Sequence, residues 1–385
     1  MATYDYIIAG GGAAGLSLAY HLVHSNLRDH SILFLDKERK VNNDRTWCFW
    51  EKDPMEFDSI VHKRWATLLF YGSGQQTEIE LSPYDYRMIR GIDFYRHTLS
   101  VLENHPSVTF RYGTVERIED GKEYAQVTVD GETFTGSWVF DSLFFPQDFR
   151  VDTDRYHFLQ QPFVCLFVRT ANPQFRPEAA TMFDFRTPQE GAMRFMYILP
   201  FSEHEALVEY TLFSADLLPE QEYRDRIRDY MRDVVQEPDY EIQEEESGVI
   251  PMTDQPFRRA GGKRIMYTGT KGGMVKASTG FAFHRTQRDC RAIVESLERS
   301  GQPFHGRRAG RRYRVFDRML LQLLHRRGDL SERIFTDLFL KNPIDRLFRF
   351  LNEEDPFREN LKLMATVPWG PFIRAWIKLY IFGRI

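Results

Sequence analysis

The sequence predicts an α/β protein, in which a nucleotide-binding parallel sheet is interrupted by an antiparallel sheet and followed by a helical C-terminal region. Three observations predict it. At the N-terminus a short apolar strand runs into glycines and then into an amphipathic helix. The middle of the chain alternates polar and apolar residues over several short runs. From Phe304 to Ile385 the apolar residues recur with helical spacing, with aromatics and arginines interleaved.

Tyr4 to Ala9 reads as a buried parallel strand, and Leu16, Ala19, Tyr20 and Val23 fall on one face of the helix after it. Gly10, Gly12 and Gly15 fit G-x-G-x-x-G at the turn between them. The first permits the tight turn, the second lets a pyrophosphate approach the backbone, and the third lets helix pack on strand. The free N–H groups and positive dipole of the helix start favour phosphate. A second strand, Ser31 to Leu35, ends in Asp36, placed about 20 residues on to accept a hydrogen bond from a ribose hydroxyl. This Rossmann-type pattern predicts FAD or NAD rather than NADP.

Further along, Asn42 to Trp50 is too aromatic for a solvent loop. Trp65–Phe70 and Glu78–Leu81 read as a strand pair around Gly72 and Gly74, and Asp93 reads as the cap of a helix reaching about Asn104. Short strands follow at Val108–Tyr112, Thr114–Glu119, Tyr124–Val129 and Glu132–Thr135, and Ser137–Asp141 returns the chain to the parallel sheet. Phe163–Arg169, Ala180–Phe185, Met193–Leu199 and Glu205–Phe213 predict an antiparallel sheet, interrupted by a charged helix over Pro219–Val235. After a strand at Gly262–Thr268, a second glycine-rich loop, Gly269–Gly280, opens onto a helix from about Phe283 to Glu298. The expected division is a discontinuous nucleotide domain (residues 1–60, 92–150 and 256–302), a substrate domain (61–91 and 151–255) and the helical region 303–385.

A net charge of only −4 gives no global electrostatic case for nucleic acid. Aromatic residues make up 15% of the chain, which suits a bulky apolar ligand and equally a large aromatic core. Cys48, Cys165 and Cys290 are isolated, so neither a metal site nor a disulfide framework is expected, and a reducing compartment is. The N-terminus reads as a strand rather than a secretory leader, and no apolar run reaches the roughly 18 residues of a membrane span.

Several separated stretches resemble the flavoprotein lycopene cyclases of carotenoid synthesis. They are Asn43 to Trp50, Met182 to Arg186, Phe195 to Pro200, Leu207 to Ser214, Gly248 to Met252, Gly273 to Gly280, and Arg349-Phe350-Leu351. The segment around Glu209 resembles the family's Leu-Glu-Glu-Thr box, and Gly273-Met274-Val275-Lys276-Ala277-Ser278-Thr279-Gly280 is its other specific element. Two departures stand out: the family's adjacent pair of glutamates is Glu209-Tyr210 here, and Ala277 stands where proline is common.

The resemblance implies acid-catalysed cyclisation of the open ends of lycopene to β-rings, without net redox, assisted by reduced FAD with NAD(P)H as reductant. It implies Glu209 as the acid and general base; Asp184, a carboxylate in the aromatic strand Met182–Phe185, is a second acid candidate. A carboxyl in an apolar cavity stays protonated at neutral pH, and a protonated acid is what protonating a carbon–carbon double bond requires. Strand alternation places Glu209 and Tyr210 on opposite faces. Trp47, Phe195 and Tyr197 are expected to line the cavity, their ring faces available to a cation. The expected cofactor-binding set is Gly10, Gly12, Ala13, Ala14, Gly15, Asp36, Arg45, Gly272, Gly273 and Met274, the last three presenting backbone N–H groups. The aromatic and basic tail (Trp369, Phe372, Ile373, Trp376, Ile377, Tyr380 and Phe382, with Arg374, Lys378 and Arg384), helped by Arg307, Arg308, Arg311, Arg312 and Arg314, suits the surface of a membrane, so a cytoplasmic, peripheral location is expected. A redox flavoprotein on the same plan, a monooxygenase or isoprenoid reductase, is the competing reading, and a lipid-carrying flavoprotein the third.

Overall fold

Strand Thr3–Ala9 forms the centre of a mostly parallel sheet in the computed structural model, which describes residues 3–306 and 310–381. Ile32–Asp36 and then Val108–Tyr112 lie on one side of it, and Glu132–Asp141 lies on the other, followed by Ile265–Tyr267. Successive residues of these strands enter different cores, because side chains alternate across a sheet. Ile8, Ile32 and Phe34 pack against helices Ala13–Val23 and Phe283–Ser300. Ile7, Leu33, Leu35 and Val139 pack instead with Ala125, Val127 and Val129 of a β-meander that continues from the sheet edge. Burial on both faces is why these strands read as continuous apolar runs. The segments Glu132–Thr135 and Ser137–Asp141 join into one ten-residue strand, paired with the meander at its start and with Thr3–Ala9 from Thr135 onward.

The second sheet has seven strands, in the order Tyr240–Thr253, Phe158–Thr170, Glu205–Phe213, Met193–Pro200, Ala179–Asp184, Thr67–Gly72 and Gln75–Glu80. Its pairings are antiparallel except for the one between Ala179–Asp184 and Thr67–Gly72. One face carries Val164, Val208, Tyr210 and Leu212 under the helix Glu220–Tyr230. The other carries Cys165, Phe195, Leu207 and Phe213 and is covered by five C-terminal helices, Arg311–Arg326, Ser331–Leu340, Ile344–Leu351, Phe357–Met364 and Trp369–Tyr380. A small sheet of Thr46–Glu51, Asp85–Arg90 and Lys63–Trp65 adds Trp50, Trp65 and Tyr86 to that second core.

Three expectations change. Asp93 does not cap its helix, which runs Gly91–Leu102 with Arg90 at the cap; Asp93 lies in the first turn and binds the Arg90 guanidinium at 2.6 Å. A fourteen-residue strand, Tyr240–Thr253, stands where Glu241, Glu244 and Glu245 give the sequence the composition of a solvated loop. These charges point outward along a sheet edge, where they discourage pairing with another chain. The strand expected over Gly262–Thr268 is shorter, Ile265–Tyr267, while the helix after the second glycine-rich loop starts at Phe283 as expected.

That loop is fastened to the C-terminal helices. Lys276, 3% exposed, binds Asp317 at 3.0 Å and Glu353 at 3.0 Å, while Ser278 donates to Asp317 and Arg285 to Glu353, each at 2.6 Å. Removing one partner from such a buried cluster leaves uncompensated charge. The substitution Lys276→Met should therefore cost about 3–5 kcal/mol in denaturant unfolding; a loss under about 1 kcal/mol would show that this cluster does not hold the helices down.

Candidate active site

The N-terminal glycines fit a dinucleotide on three separate grounds. Gly10 has φ +106°, and a Cβ there would strike the Ser142 hydroxyl. A Cβ on Gly15 would collide with the carbonyl oxygen of Gly10, so helix and strand meet at closest approach. Around Gly12, by contrast, a Cβ would find open space, which is where a pyrophosphate needs room. Gly12 caps the helix, and the N–H groups of Ala13, Ala14 and Gly15 precede its first internal bond, from Leu16 N–H to the Gly12 carbonyl. Asp36 sits directly beside Gly11, only 7% exposed, held by the Lys37 N–H at 2.8 Å and Lys40 at 3.3 Å.

The second glycine-rich loop supplies something other than was expected of it. The N–H groups of Gly272, Gly273 and Met274 are bonded to carbonyls of Thr268, Gly269 and Thr270 within their own turn, so they are not available to a phosphate. What the loop offers is close approach. Gly269 adopts φ +58°, and a Cβ there would lie 2.8 Å from the Ala14 methyl, which brings the two loops together. Thr268 and Thr279 each bury a hydroxyl oxygen without a protein partner, as does Gln161 its amide oxygen. Unpaired buried polar atoms are costly unless a ligand or water meets them; Thr279 and Gln161 both line the cavity, so these two fit a polar group bound between the loop and the antiparallel sheet.

From this junction a cavity of about 500 Å³ runs along the antiparallel sheet beneath the C-terminal helices. Its walls are mostly apolar, among them Phe183, Phe195, Phe213, Phe335 and Phe339. It reaches Phe144 just past the parallel strand and Thr270 of the second loop at one end, and Met364, Val367 and Phe372 at the other. Volume and lining suit a ligand that is mostly hydrocarbon.

Across the cavity floor runs one row of polar side chains. Cys165 is paired with Glu209 on one side and Glu246 on the other, and Glu209 is in turn paired with Tyr197. Opposed residues of an antiparallel sheet share a face, so Glu246, Cys165, Glu209 and Tyr197 stand side by side. Burial pushes the Glu209 carboxyl up to about 7, a rise helped by the nearby Glu246 and opposed by hydrogen bonds from the Thr211 hydroxyl and the Cys165 thiol. Burial also raises Glu246, against the pull of the Thr46 hydroxyl at 2.8 Å and the Thr46 N–H at 3.2 Å. Cys165 and Tyr197 are driven well above their usual ranges by burial and stay protonated. Tyr197 shares a 2.7 Å hydrogen bond with Tyr86, and Cys48, pushed up to about 12 by burial, lies beside both.

The structure brings Glu209, Trp47, Phe195, Tyr197 and Arg45 to this cavity. Trp47 stacks on Phe283, 5.6 Å between ring centres. Asp184 is not brought there. Fully buried, it takes a bidentate ion pair from Arg186 and a hydrogen bond from Tyr230, whose helix covers the opposite face of the sheet. It is tied up as a structural carboxylate, which corrects its reading as a second acid. Glu246 went unread. Its signal lay in the register of the strand, which turns every second residue inward, and was hidden by the acidic run around it.

A family model described as "Lycopene cyclase protein" matches residues 5–376. A curated relative, neoxanthin synthase of the chloroplast from Solanum tuberosum, is 27% identical over 310 residues, which cover 77% of this chain and 61% of the relative. The chain thus spans less than two thirds of that relative's length. Among solved structures, a geranylgeranyl bacteriochlorophyll reductase-like protein from Thermoplasma acidophilum superposes with TM-score 0.60 at 11% identity, covering 99% of this chain and 97% of that one. The p-nitrophenol 4-monooxygenase of Pseudomonas putida gives TM-score 0.57 at 14% identity, covering 95% and 98%. At such identities the likeness to both is one of fold.

Glu209 generates a prediction at once. Infrared spectra should show a protonated carboxyl that titrates near pH 7 and is missing from Glu209→Gln; a midpoint below about 5 would mean a solvated group. Its folded pKa is raised, so the folded state holds the proton more tightly than the unfolded one. The stability this group contributes is complete below about pH 4.3 and lost as pH rises through 7, a slope that Glu209→Gln should flatten.

Proposed function

The chain belongs to the lycopene cyclase family, and from that premise we propose that it is a lycopene β-cyclase, an FAD-dependent enzyme that closes the open ends of lycopene to β-rings, giving γ-carotene and then β-carotene without net redox. The observation that carries this reading is Glu209, a carboxyl buried on the floor of an apolar cavity and pushed up to about 7 by that burial. A proton bound for a carbon–carbon double bond has to come from an acid that water does not level, and an apolar cavity provides that condition.

Under this reading, Gly12 and the start of the following helix would hold the FAD pyrophosphate and Asp36 its ribose, with NAD(P)H as the reductant; the discontinuous residues 1–60, 92–150 and 256–302 would form its domain. When bound and reduced, the flavin supplies negative charge that stabilises a developing cation. Glu209 donates its proton to the terminal double bond. Thr211 and Cys165 orient the carboxyl, and the rings of Phe183, Phe195 and Tyr197 present π-faces to the tertiary cation while keeping water away. The neighbouring double bond attacks that cation, and loss of a ring proton completes the β-ring.

The same C-terminal helices that close the cavity support a peripheral membrane location. Trp369, Ile373, Trp376, Tyr380 and Ile381 are exposed on the last helix and its end, and Phe357 and Leu361 on the one before. Arg374 and Lys378 lie among them. Among the described residues no helix is long and apolar enough to cross a membrane. Phe382, Arg384, Arg307 and Arg308, also expected to contribute, lie outside the described residues. The competing redox reading shares the fold with the reductase-like and monooxygenase structures, but it gives a protonated acid in the cavity no task.

Protein loaded with FAD, given NADPH and lycopene in anionic vesicles without oxygen, should yield γ- and then β-carotene. Lycopene left unchanged by flavin-bound protein would refute the reading, and products that had gained hydrogen or oxygen would favour the redox one. Glu209→Gln should keep its FAD and lose about 10²- to 10⁴-fold in rate. The wild-type rate should fall as pH rises past about 7, where Glu209 gives up its proton. In flotation with those vesicles, replacing Trp369 and Trp376 by serine should release protein from the lipid fraction; full retention would exclude the helix as the contact.

A further inference from the structure

Cyclisation needs a proton delivered to one carbon and another removed from a nearby carbon of the new ring. The family's adjacent glutamates are reduced here to Glu209 followed by Tyr210, and Tyr210 packs on the far face of the sheet with Tyr223. Glu209 nonetheless does not stand alone. Glu246 reaches the same cavity from the edge strand Tyr240–Thr253, 37 positions further along the chain and in register with the same Cys165.

Resting on the cyclase reading above, we infer that Glu246 is the base of the reaction: Glu209 gives the proton and Glu246 takes the ring proton, so that the acid–base pair is assembled across three strands rather than along one.

Placement separates the two roles. The strands of Glu209 and Glu246 are two inter-strand spacings apart, about 10 Å between backbones, with Cys165 between them. Carboxyls in direct contact would share one proton; with a strand between them, one remains an acid while the other remains a base. Each carboxyl accepts two hydrogen bonds that favour its ionised form, and it is charge that divides them: the Arg45 guanidinium pulls Glu246 down, whereas the nearby Glu246 pushes Glu209 up. Thr46 donates to both oxygens of Glu246, through its hydroxyl and its N–H, an arrangement that favours the ionised form. A carboxylate has about four lone-pair sites, so two remain after Thr46 has taken its share. Cys165 remains a neutral thiol and adds no charge between them.

The step balances without an oxidant or reductant. The Glu209 O–H bond breaks as a C–H bond forms at the terminal double bond. The π pair of the neighbouring double bond becomes the ring C–C bond. A C–H bond next to the ring cation then breaks, its electron pair becoming the ring double bond and its proton forming an O–H bond on Glu246. Passage of that proton back to Glu209 resets the pair. Because a tertiary ring cation can lose a proton from any carbon attached to it, the position of the base decides where the double bond ends up. Glu246 is thereby also the residue that sets ring type.

The test compares Glu246→Gln, Glu246→Asp and Thr46→Val with wild type in the vesicle assay, with FAD content and melting temperature measured alongside. Glu246→Gln should keep its FAD and fold, slow cyclisation at least about 100-fold, and displace the ring double bond in whatever product remains. Glu246→Asp should restore β-ring formation in part. Wild-type rate and double-bond position in Glu246→Gln would overturn the inference. So would a slow variant making only β-rings and matched by Thr46→Val, since that pattern belongs to an anchor for the Thr46 strand. If Glu246→Gln does not fold, Glu246→Asp decides by its double-bond ratio: an unchanged ratio and rate overturn the inference. A wild type that cyclises nothing would instead remove the cyclase reading itself, an outcome distinct from all of these.

Discussion

A carboxyl group remains protonated at neutral pH only where water is kept from its charged form, and the cavity is built around that constraint. Glu209 lies on a strand whose alternate residues enter two different cores. Tyr210 and its neighbours of the same parity are covered by a single amphipathic helix, Glu220–Tyr230. The face that carries Glu209 needs a wider cover that leaves space beneath it, and five short helices provide one. A single long helix would pack flat on the sheet and fill that space; short helices at different angles can bridge it. The cover is in turn fastened by Lys276, whose ammonium joins the helix Arg311–Arg326, through Asp317, and the turn after Ile344–Leu351, through Glu353, to the loop after the parallel sheet. The protonation state of Glu209 therefore depends on an ion cluster made by residues far from it in the chain.

The same loop links the dinucleotide turn to the helical cover. Gly269 presses on Ala14 at the dinucleotide turn, and seven residues later Lys276 holds the helical cover. Between them Thr270 and Val275 line the cavity itself. A shift of the loop toward or away from the N-terminal turn would be felt by the cover, because the loop is packed at both points and has little freedom between them. Site geometry and cofactor geometry are thus set by one segment of a dozen residues. That gives a physical reason for its dense turn hydrogen bonding, including the bonds that consume the N–H groups of Gly272, Gly273 and Met274.

How much of this could be read from the sequence depended on how local each signal was. The N-terminal turn was legible because its requirements are backbone requirements: Gly10 needs its positive φ and Gly15 its close contact whatever surrounds them. Glu209 was legible as a lone carboxylate in an apolar strand, once the resemblance had given it a task. Asp184 has much the same local appearance, a carboxylate among aromatics, and what distinguishes the two is the ion pair with Arg186 and the helix that brings Tyr230 to it. Glu246 was the converse case. Its neighbours Glu244 and Glu245 are exposed, so the run reads as solvated, yet one residue of the three turns inward because the strand pairs with Phe158–Thr170. Pairing register is a tertiary fact, and no window of sequence around Glu246 contains it.

The last two helices show how a substrate that avoids water would reach such a site. Met364, Val367 and Phe372 line the cavity from within, while Leu361, Trp369 and Ile373, a few residues away, are exposed on the outside. One thin layer of protein therefore separates the apolar exterior from the apolar interior. For a hydrocarbon in a bilayer, transfer into bulk water is opposed at about 25 cal/mol for every Å² of surface exposed, which for a molecule of tens of carbons forbids a free aqueous step. Under the cyclase proposal, an apolar outer face lying against lipid would remove that step, because the substrate would pass from hydrocarbon to protein without being wetted. On that proposal the exterior patch and the buried acid answer to one requirement, since both the substrate and the proton meant for it have to be kept from water until they meet at Glu209.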